Sequence, residues 1–226
     1  MDAYQRRRGR PAKTFFELAA GPGRHSLAAA AAGLTVTALD LSPEMAAYTK
    51  EKAARAGARL QYLVADMAHF EPPGTFDLAA CLSCSASYLL SDTAVLSHLS
   101  SVRAALTPDG MYLLELTHPA ELGGATKSKN TWRMSDARGE VQIDWGGQPV
   151  AGVWESHVTL VYQPSDGAPP VRVEDDACQR GFTLEEATRF ADRSGFALEA
   201  TLGGFDEDLP LDDPRASRML LLLRKT

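Results

Sequence analysis

The stretch that decides the fold is "FFELAAGPGRHSLAAAAAGLTVTALDLSPEM", residues 15–45. Residues 14–19 read as a short apolar strand that runs into the glycine turn "AAGPGRH", residues 19–25, and then into a helix. Glycines remove the side chains that would hold a ligand away from backbone amides, and a helix starting there aims its free N–H groups at the same point. A second strand, 35–40, ends in an acid, Asp40, 17 residues beyond Gly23. The glycine spacing is G-P-G, with His25 and Ser26 where the dinucleotide fingerprint expects its third glycine, which argues against NAD. No Gly-Lys-Ser or Gly-Lys-Thr follows, which argues against an ATP-type phosphate loop. Taken alone, the turn is a weak signal, with a purely structural tight turn as the competing minority reading.

Working outward, strands are expected at 60–64, 76–82 and 111–117, alternating with helical segments. That alternation marks a doubly wound α/β domain whose sheet is mostly parallel. Ser42 followed by Pro43 starts a helix that Gly57 stops, and Ser91 caps another running to about Leu106, after which "TPDG", 107–110, turns the chain. Over residues 121–181 the pattern changes to strand alternation without helical period. In "VWESHVTLVY", 153–162, Trp154, Val158, Leu160 and Tyr162 share one face and Glu155, His157 and Thr159 the other. These residues read as an antiparallel meander of three or four strands inserted between strand 5 and the next helix. The α/β pattern resumes with a capping box, Thr183 with Glu186, and with strands at 196–202 and 217–224, which completes seven strands. The expected domains are residues 1–120 with 182–226, and the insertion 121–181.

In "LVADMAHF", residues 63–70, a second acid, Asp66, closes the third strand. Ligands of doubly wound sheets gather at the carboxyl ends of the strands, and a carboxylate there can accept from both hydroxyls of a ribose or from an adenine amino group. With "FFELAAGPGRH", "LDLSPEM", "VADM" and "FDLAACLS…YLL" in this order, the chain resembles the class I S-adenosylmethionine-dependent methyltransferases, through motif I, its following acidic loop, motif II and the fourth-strand motif. The resemblance is strong over residues 14–119 and extends over 182–226 by order of elements, and it implies a Rossmann-like sheet. It further implies that Glu17, Ala19, Gly21 and Gly23 surround the methionine part of S-adenosyl-L-methionine, and that Asp40 and Leu41 hold its ribose edge. Met45 would pack on adenine, Asp66 and Met67 would read its amino edge, and Leu82 and Ser83 would line the cofactor from strand 4. Ala19 stands where a glycine is common in the family, and only 13 residues precede the first strand, fewer than relatives commonly carry, so the expectation is either a start shortened relative to the natural protein or an unusually open cofactor site.

Composition sets the outer bounds. A chain of 226 residues with 45% apolar content can bury a substantial core without disulfides or metal. A formal charge of −6 argues against a nucleic-acid partner, and the basic run Arg6, Arg7, Arg8, Arg10 and Lys13 is expected to be a solvated tail. Three cysteines, the lack of a signal-peptide pattern and apolar runs too short to span a bilayer point to a soluble, cytoplasmic protein with no membrane partner. Cys81-Leu-Ser-Cys84 lies at the end of strand 4 without a second Cys/His pair at ligand spacing, so no metal is expected, and the acids of "DEDLPLDDP" read as a solvated loop.

Methyl transfer from a sulfonium needs alignment first and a base only for acceptors such as hydroxyls. His118, just past strand 5 in "LELTHP", is the first catalytic candidate, against a strand-capping role, and Tyr88 is the second, against a packing role. His25 is expected to support the cofactor turn, His157 to face solvent or acceptor, and His69 and His98 to be ordinary surface or helix residues. The resemblance to sugar and antibiotic methyltransferases with a β insertion implies a small-molecule acceptor methylated on oxygen or nitrogen, in secondary metabolism, with the insertion covering the acceptor or pairing two copies as a homodimer. Of Trp132, Trp145 and Trp154, at least two should form the core of the insertion. The competing class is a catalytically silent protein that binds S-adenosylmethionine or S-adenosylhomocysteine for regulation or assembly. An RNA or protein methyltransferase is disfavoured because "CLSCSASYLL" replaces the Asn/Asp-Pro-Pro-aromatic signature after strand 4.

Overall fold

The structure, a computed structural model, describes residues 2–118 and 128–226. The chain divides into two compact units, residues 1–119 with 182–226, and residues 120–181.

The first unit is a seven-stranded sheet. It is built from β1 (Thr14–Leu18), β2 (Thr35–Asp40), β3 (Leu60–Val64), β4 (Phe76–Cys81), β5 (Leu106–Thr117), β10 (Phe196–Leu202) and β11 (Arg218–Lys225). Their spatial order is β10-β11-β5-β4-β1-β2-β3, with β1 to β5 parallel and β11 antiparallel to both of its neighbours. The order therefore reverses between β1 and β4, the switch point at which such sheets open a crevice beyond their carboxyl ends.

Strands buried on both faces explain the continuous apolar runs. Phe16, Leu18, Ala79, Cys81, Tyr112, Leu114 and Leu221 pack under α4 (Asp92–Ala104) and α5 (Leu184–Arg193). Phe15, Val36, Leu78, Ala80, Met111 and Leu222 pack on the opposite face with Ala29 of α2 (Arg24–Ala31) and Tyr4 of α1 (Asp2–Arg8). The expected caps form: Ser42 accepts from Met45 N–H at the head of α3 (Pro43–Arg55), Ser91 from Ala94 N–H, and Thr183 with Glu186 closes a capping box.

Two expectations are corrected. The basic N-terminus is not a solvated tail but the helix α1. Tyr4 is fully buried, and the arginines are paired: Arg7 with Glu207 at 2.9 Å, Arg8 with Glu199 at 3.0 Å, Arg10 with Asp77 at 2.9 Å. Asp77 is the hub, accepting also from Tyr4 Oη at 3.3 Å and Lys13 N–H at 2.7 Å. Burial alone would raise its carboxyl pKa, but Arg10 and the backbone donors outweigh burial and hold it below the usual carboxylate value. The second correction concerns "TPDG", which is not a turn ahead of the strand. It lies within β5, where the β4 pairing jumps from Phe76↔Leu106 to Leu78↔Met111, so the extra residues form a bulge.

The second unit is an antiparallel meander of β6 (Ser128–Asp136), β7 (Gly139–Val150), β8 (Val153–Pro164) and β9 (Val171–Arg180), in that spatial order. Its register sets two apolar rows on one face, Trp132↔Ile143↔Leu160↔Val173 and Met134↔Val141↔Tyr162↔Val171. Trp145 and Trp154 stack with ring centroids 6.0 Å apart, whereas Trp132 stays half exposed. On the polar face His157 Nδ1 lies 2.6 Å from Asp176 Oδ1. A concavity of about 870 Å³ lined by His157, Asp144, Glu155 and Arg172 lies wholly within this unit.

Candidate active site

The carboxyl edge at the switch point is built around the turn after β1. Ala19, Gly21 and Gly23 all have positive φ, at 51°, 51° and 66°. For Ala19 this is a strained conformation of the kind that concentrates at functional edges. The two glycines differ in their surroundings. A Cβ on Gly23 would run into the side chain of buried Thr49, so only glycine fits there, while a Cβ on Gly21 would meet nothing within 4 Å. Gly21 thus borders open space from which a ligand can approach the backbone.

Asp40 ties the turn to the second strand. Its Oδ2 accepts from Gly21 N–H at 2.8 Å and its Oδ1 from Ser42 N–H at 2.9 Å. Each oxygen keeps a further lone pair for a ligand donor. Tyr62 Oη donates to Gly21 O beneath the turn, and its phenol is raised above its ordinary pKa first by burial and then by the negative charges of Asp40 and Glu17. Leu41 is 71% and Met45 40% exposed beside Asp40, apolar surface that an aromatic ligand would cover. Val64, the register partner of Asp40 on β3, is exposed as well; sequence reasoning passed over it, although its place at the end of β3 marks it.

Glu17 is 2% exposed and serves the turn from behind. Its carboxylate accepts from Ser26 N–H at 2.8 Å, from Ser26 Oγ–H, and from His25 Nδ1 at 2.8 Å. An anion at the head of α2 is favoured by the free amides there. The hydrogen bond to Glu17 raises the pKa of His25, against the opposing effect of burial.

Asp66 is exposed, its Oδ1 accepting from Ala68 N–H at 2.8 Å, and Ala65 N–H reaches Asp40 O at 3.0 Å, so the two acidic strand ends are joined through backbone. On the other side of the switch point Leu82 is buried and Ser83, with φ 57°, donates its N–H to Glu115 Oε2 at 2.7 Å. Glu115 is 3% exposed and also holds Arg218 at 3.0 Å. Sequence reasoning did not single it out, although an acid inside the apolar run "LLEL" was a visible signal.

Among the catalytic candidates, His118 is half-buried and donates Nε2–H to Leu211 O at 2.9 Å, a bond that fixes the end of β5 to the β10–β11 connection. Tyr88 is 51% exposed and ends the short 3₁₀ turn Ser85–Tyr88 after strand 4. The structure thus gathers Gly21, Asp40 and Ser42 in one hydrogen-bonded group, Glu17, His25 and Ser26 in a second, and Ser83 with Glu115 in a third. His98 is corrected: it is not an ordinary helix residue but is 1% exposed and hydrogen-bonded through both ring nitrogens.

Residues 15–110 match the family model described as a methyltransferase domain. The chain is 25% identical over 199 residues to YqeM of Bacillus subtilis (strain 168), a protein named for methyltransferase activity, covering 86% of this chain and 77% of that one. Among solved structures it is similar to an S-adenosylmethionine-dependent methyltransferase from Clostridium acetobutylicum ATCC 824, with TM-score 0.85, 15% identity and coverage of 99% of this chain and 88% of that one. It is also similar to CalS10, an amino pentose methyltransferase of Micromonospora echinaspora involved in calicheamicin biosynthesis, with TM-score 0.77, 20% identity and coverage of 100% and 88%. DesVI of Streptomyces venezuelae gives TM-score 0.81 at 18% identity, with 100% and 89% covered.

Residues 15–110 thus match a methyltransferase domain, and the fold is similar to that of the S-adenosyl-L-methionine-dependent methyltransferase from Clostridium acetobutylicum. The donor set suits that cofactor, with an open approach at Gly21, carboxylates at two successive strand ends and exposed apolar side chains between them. Among the described residues no helix is long and apolar enough to cross a membrane.

Proposed function

We propose that this chain transfers a methyl group from S-adenosyl-L-methionine to an oxygen or nitrogen of a small-molecule acceptor. The observation that carries the reading is the Gly21–Asp40 group, an open glycine turn whose amide is bonded to the acid at the end of the next strand. In this reading Asp40 accepts from the ribose, Leu41 and Met45 cover adenine, and Asp66 and Met67 read its amino edge. Glu17 holds the turn through Ser26 and His25, while Ala19, Gly23, Leu82 and Ser83 shape the wall toward the methionine end. The bound cofactor supplies a methyl already activated on a sulfonium, so the protein's task is to align the acceptor.

His118 and Tyr88 stand as the candidate acceptor-side residues. An amine acceptor arriving neutral needs no base from either. The amino pentose methyltransferase among the structural neighbours supports a small, hydroxylated or amino-bearing acceptor and a role in secondary metabolism. A sparse, odd set of cysteines, Cys81, Cys84 and Cys178, suits a reducing, cytoplasmic setting. We further propose that the apolar rows of the meander pair two copies of the chain.

Calorimetric titration with S-adenosylmethionine and S-adenosylhomocysteine, with NAD as control, tests the cofactor. Incubation with a panel of amino sugars and other small amines and alcohols, followed by assay of S-adenosylhomocysteine, tests the transfer. Binding without turnover across that panel would favour a silent cofactor-binding protein instead.

A further inference from the structure

The loop after β3 carries Asp66, the acid proposed to meet adenine, yet among the described residues β3 is an edge strand paired only with β2. An edge strand gives the loop beyond it little support from the sheet. The support comes from α4. His98 Nδ1 lies 2.8 Å from Met67 O, His69 Nδ1 lies 3.3 Å from Ser97 Oγ, and Phe70 N–H reaches Ser101 Oγ at 3.5 Å. The last two contacts are long for hydrogen bonds, so the bond from His98 dominates.

The chemistry of that bond is set deeper in the core. A carbonyl can only accept, so Nδ1 carries the proton and Nε2 is left as an acceptor. Tyr112 Oη, 2.7 Å away, donates to it. Cys81 of β4 interacts electrostatically with the same phenol, so a run of buried polar groups leads from β4 through β5 and α4 to the backbone of Met67. Cys81 and Tyr112 are fully buried and His98 nearly so. No member of this run is charged at neutral pH: burial pushes His98 down to about 4 and Cys81 up to about 12. The imidazole is therefore held in one tautomer and one orientation, aimed at Met67 O.

From this geometry we infer that His98 is a positioning residue for cofactor selection: by donating to Met67 O it fixes the Asp66–Met67 loop that reads the adenine end, and it acts on affinity for the cofactor, not on the methyl-transfer step. The inference rests on the proposed cofactor site.

The test compares three variants by calorimetry with S-adenosylmethionine and by initial rates. Asn places its amide N–H where Nδ1 sits, whereas Gln reaches toward Tyr112 in place of Nε2, and Leu fills the space without a donor. Loss of one buried hydrogen bond predicts that His98→Leu and His98→Gln weaken cofactor binding about 10-fold, with kcat at saturating cofactor close to wild type. His98→Asn should recover most of the affinity. Should His98→Leu fail to fold, the Asn and Gln pair still decides. Equal binding by Asn and Gln variants, or a fall in kcat with unchanged KM for the cofactor, overturns the inference. If wild type binds no S-adenosylmethionine, the cofactor reading falls and the inference with it; if wild type binds and the variants match it, only the inference falls.

Discussion

Gly21 donates its N–H to Asp40 Oδ2 across 2.8 Å, so the turn after β1 and the acid ending β2 form one unit instead of two independent ligand contacts. Asp40→Ala should then remove the ribose acceptor and loosen the turn together. Two charge-assisted hydrogen bonds suggest a loss of roughly 3 kcal/mol, or more than about 100-fold in affinity. Calorimetric titration with S-adenosylmethionine on variant protein checked for native circular dichroism measures it.

The two glycines of the turn should separate stability from binding. Gly23→Ala drives a methyl into Thr49 at a positive φ and is expected to cost about 1–3 kcal/mol of stability, seen as a lower urea midpoint. Adding Thr49→Ser removes the methyl that the new Cβ would strike and should restore part of that loss. Gly21→Ala meets open space, so its stability cost is the smaller one, about 1–2 kcal/mol from left-handed φ, but it should weaken cofactor binding by crowding the approach.

His98 gives stability a defined pH dependence. Its folded pKa is lowered to about 4 by burial, so the unfolded chain takes up the proton first as pH falls. The stabilisation is fully present above the unfolded value, about 6.5, and is lost progressively as pH falls toward 4, up to roughly 3 kcal/mol. The groups facing the ring are Tyr112, the Met67 carbonyl and, through charge, Asp66. His25 has the opposite sign: its raised pKa stabilises at low pH, and that contribution is lost as pH rises through the folded value. Urea midpoints at pH 7.5 and pH 5 should differ less in His98→Asn than in wild type.

Asp77→Asn should free α1. The substitution removes the charge that half-exposed Arg10 and the Lys13 amide meet, with an expected destabilisation of about 1–2 kcal/mol after solvent screening. Limited trypsin digestion should then cut among Arg6, Arg7, Arg8 and Arg10 faster than in wild type, and unchanged cleavage would count against the hub.

Trp132→Lys places a charge in the apolar row Trp132↔Ile143↔Leu160↔Val173 at a half-exposed position. If that face pairs two copies, sedimentation velocity should show dimer for wild type and monomer for the variant. A wild type that sediments as monomer would end the pairing proposal.

How much of this was legible beforehand depends on distance along the chain. The strands other than the start of β5, the Ser42, Ser91 and Thr183 caps, the glycine turn and the acids at Asp40 and Asp66 follow from residues within a few positions of each other, because periodicity, capping and turn chemistry act locally. The meander showed itself the same way, through alternation in "VWESHVTLVY". The amino-acid order by itself therefore determined the class of fold, the order of its elements and the strand edge at which the proposed cofactor site lies.

Tertiary structure decided the rest. His98 looked ordinary because its partners are 14 and 31 positions away, and Arg10 and Arg7 looked like a tail because theirs are 67 and 200 positions away. The "TPDG" bulge exists only because β4 pairs on both sides of it. Glu115 is one acid among many until β5 brings it to Ser83 and Arg218. In each case burial sets the energy of a polar group, and burial is a property of the assembled sheet and helices; only Glu115, set in the apolar run "LLEL", carried a local sign of it.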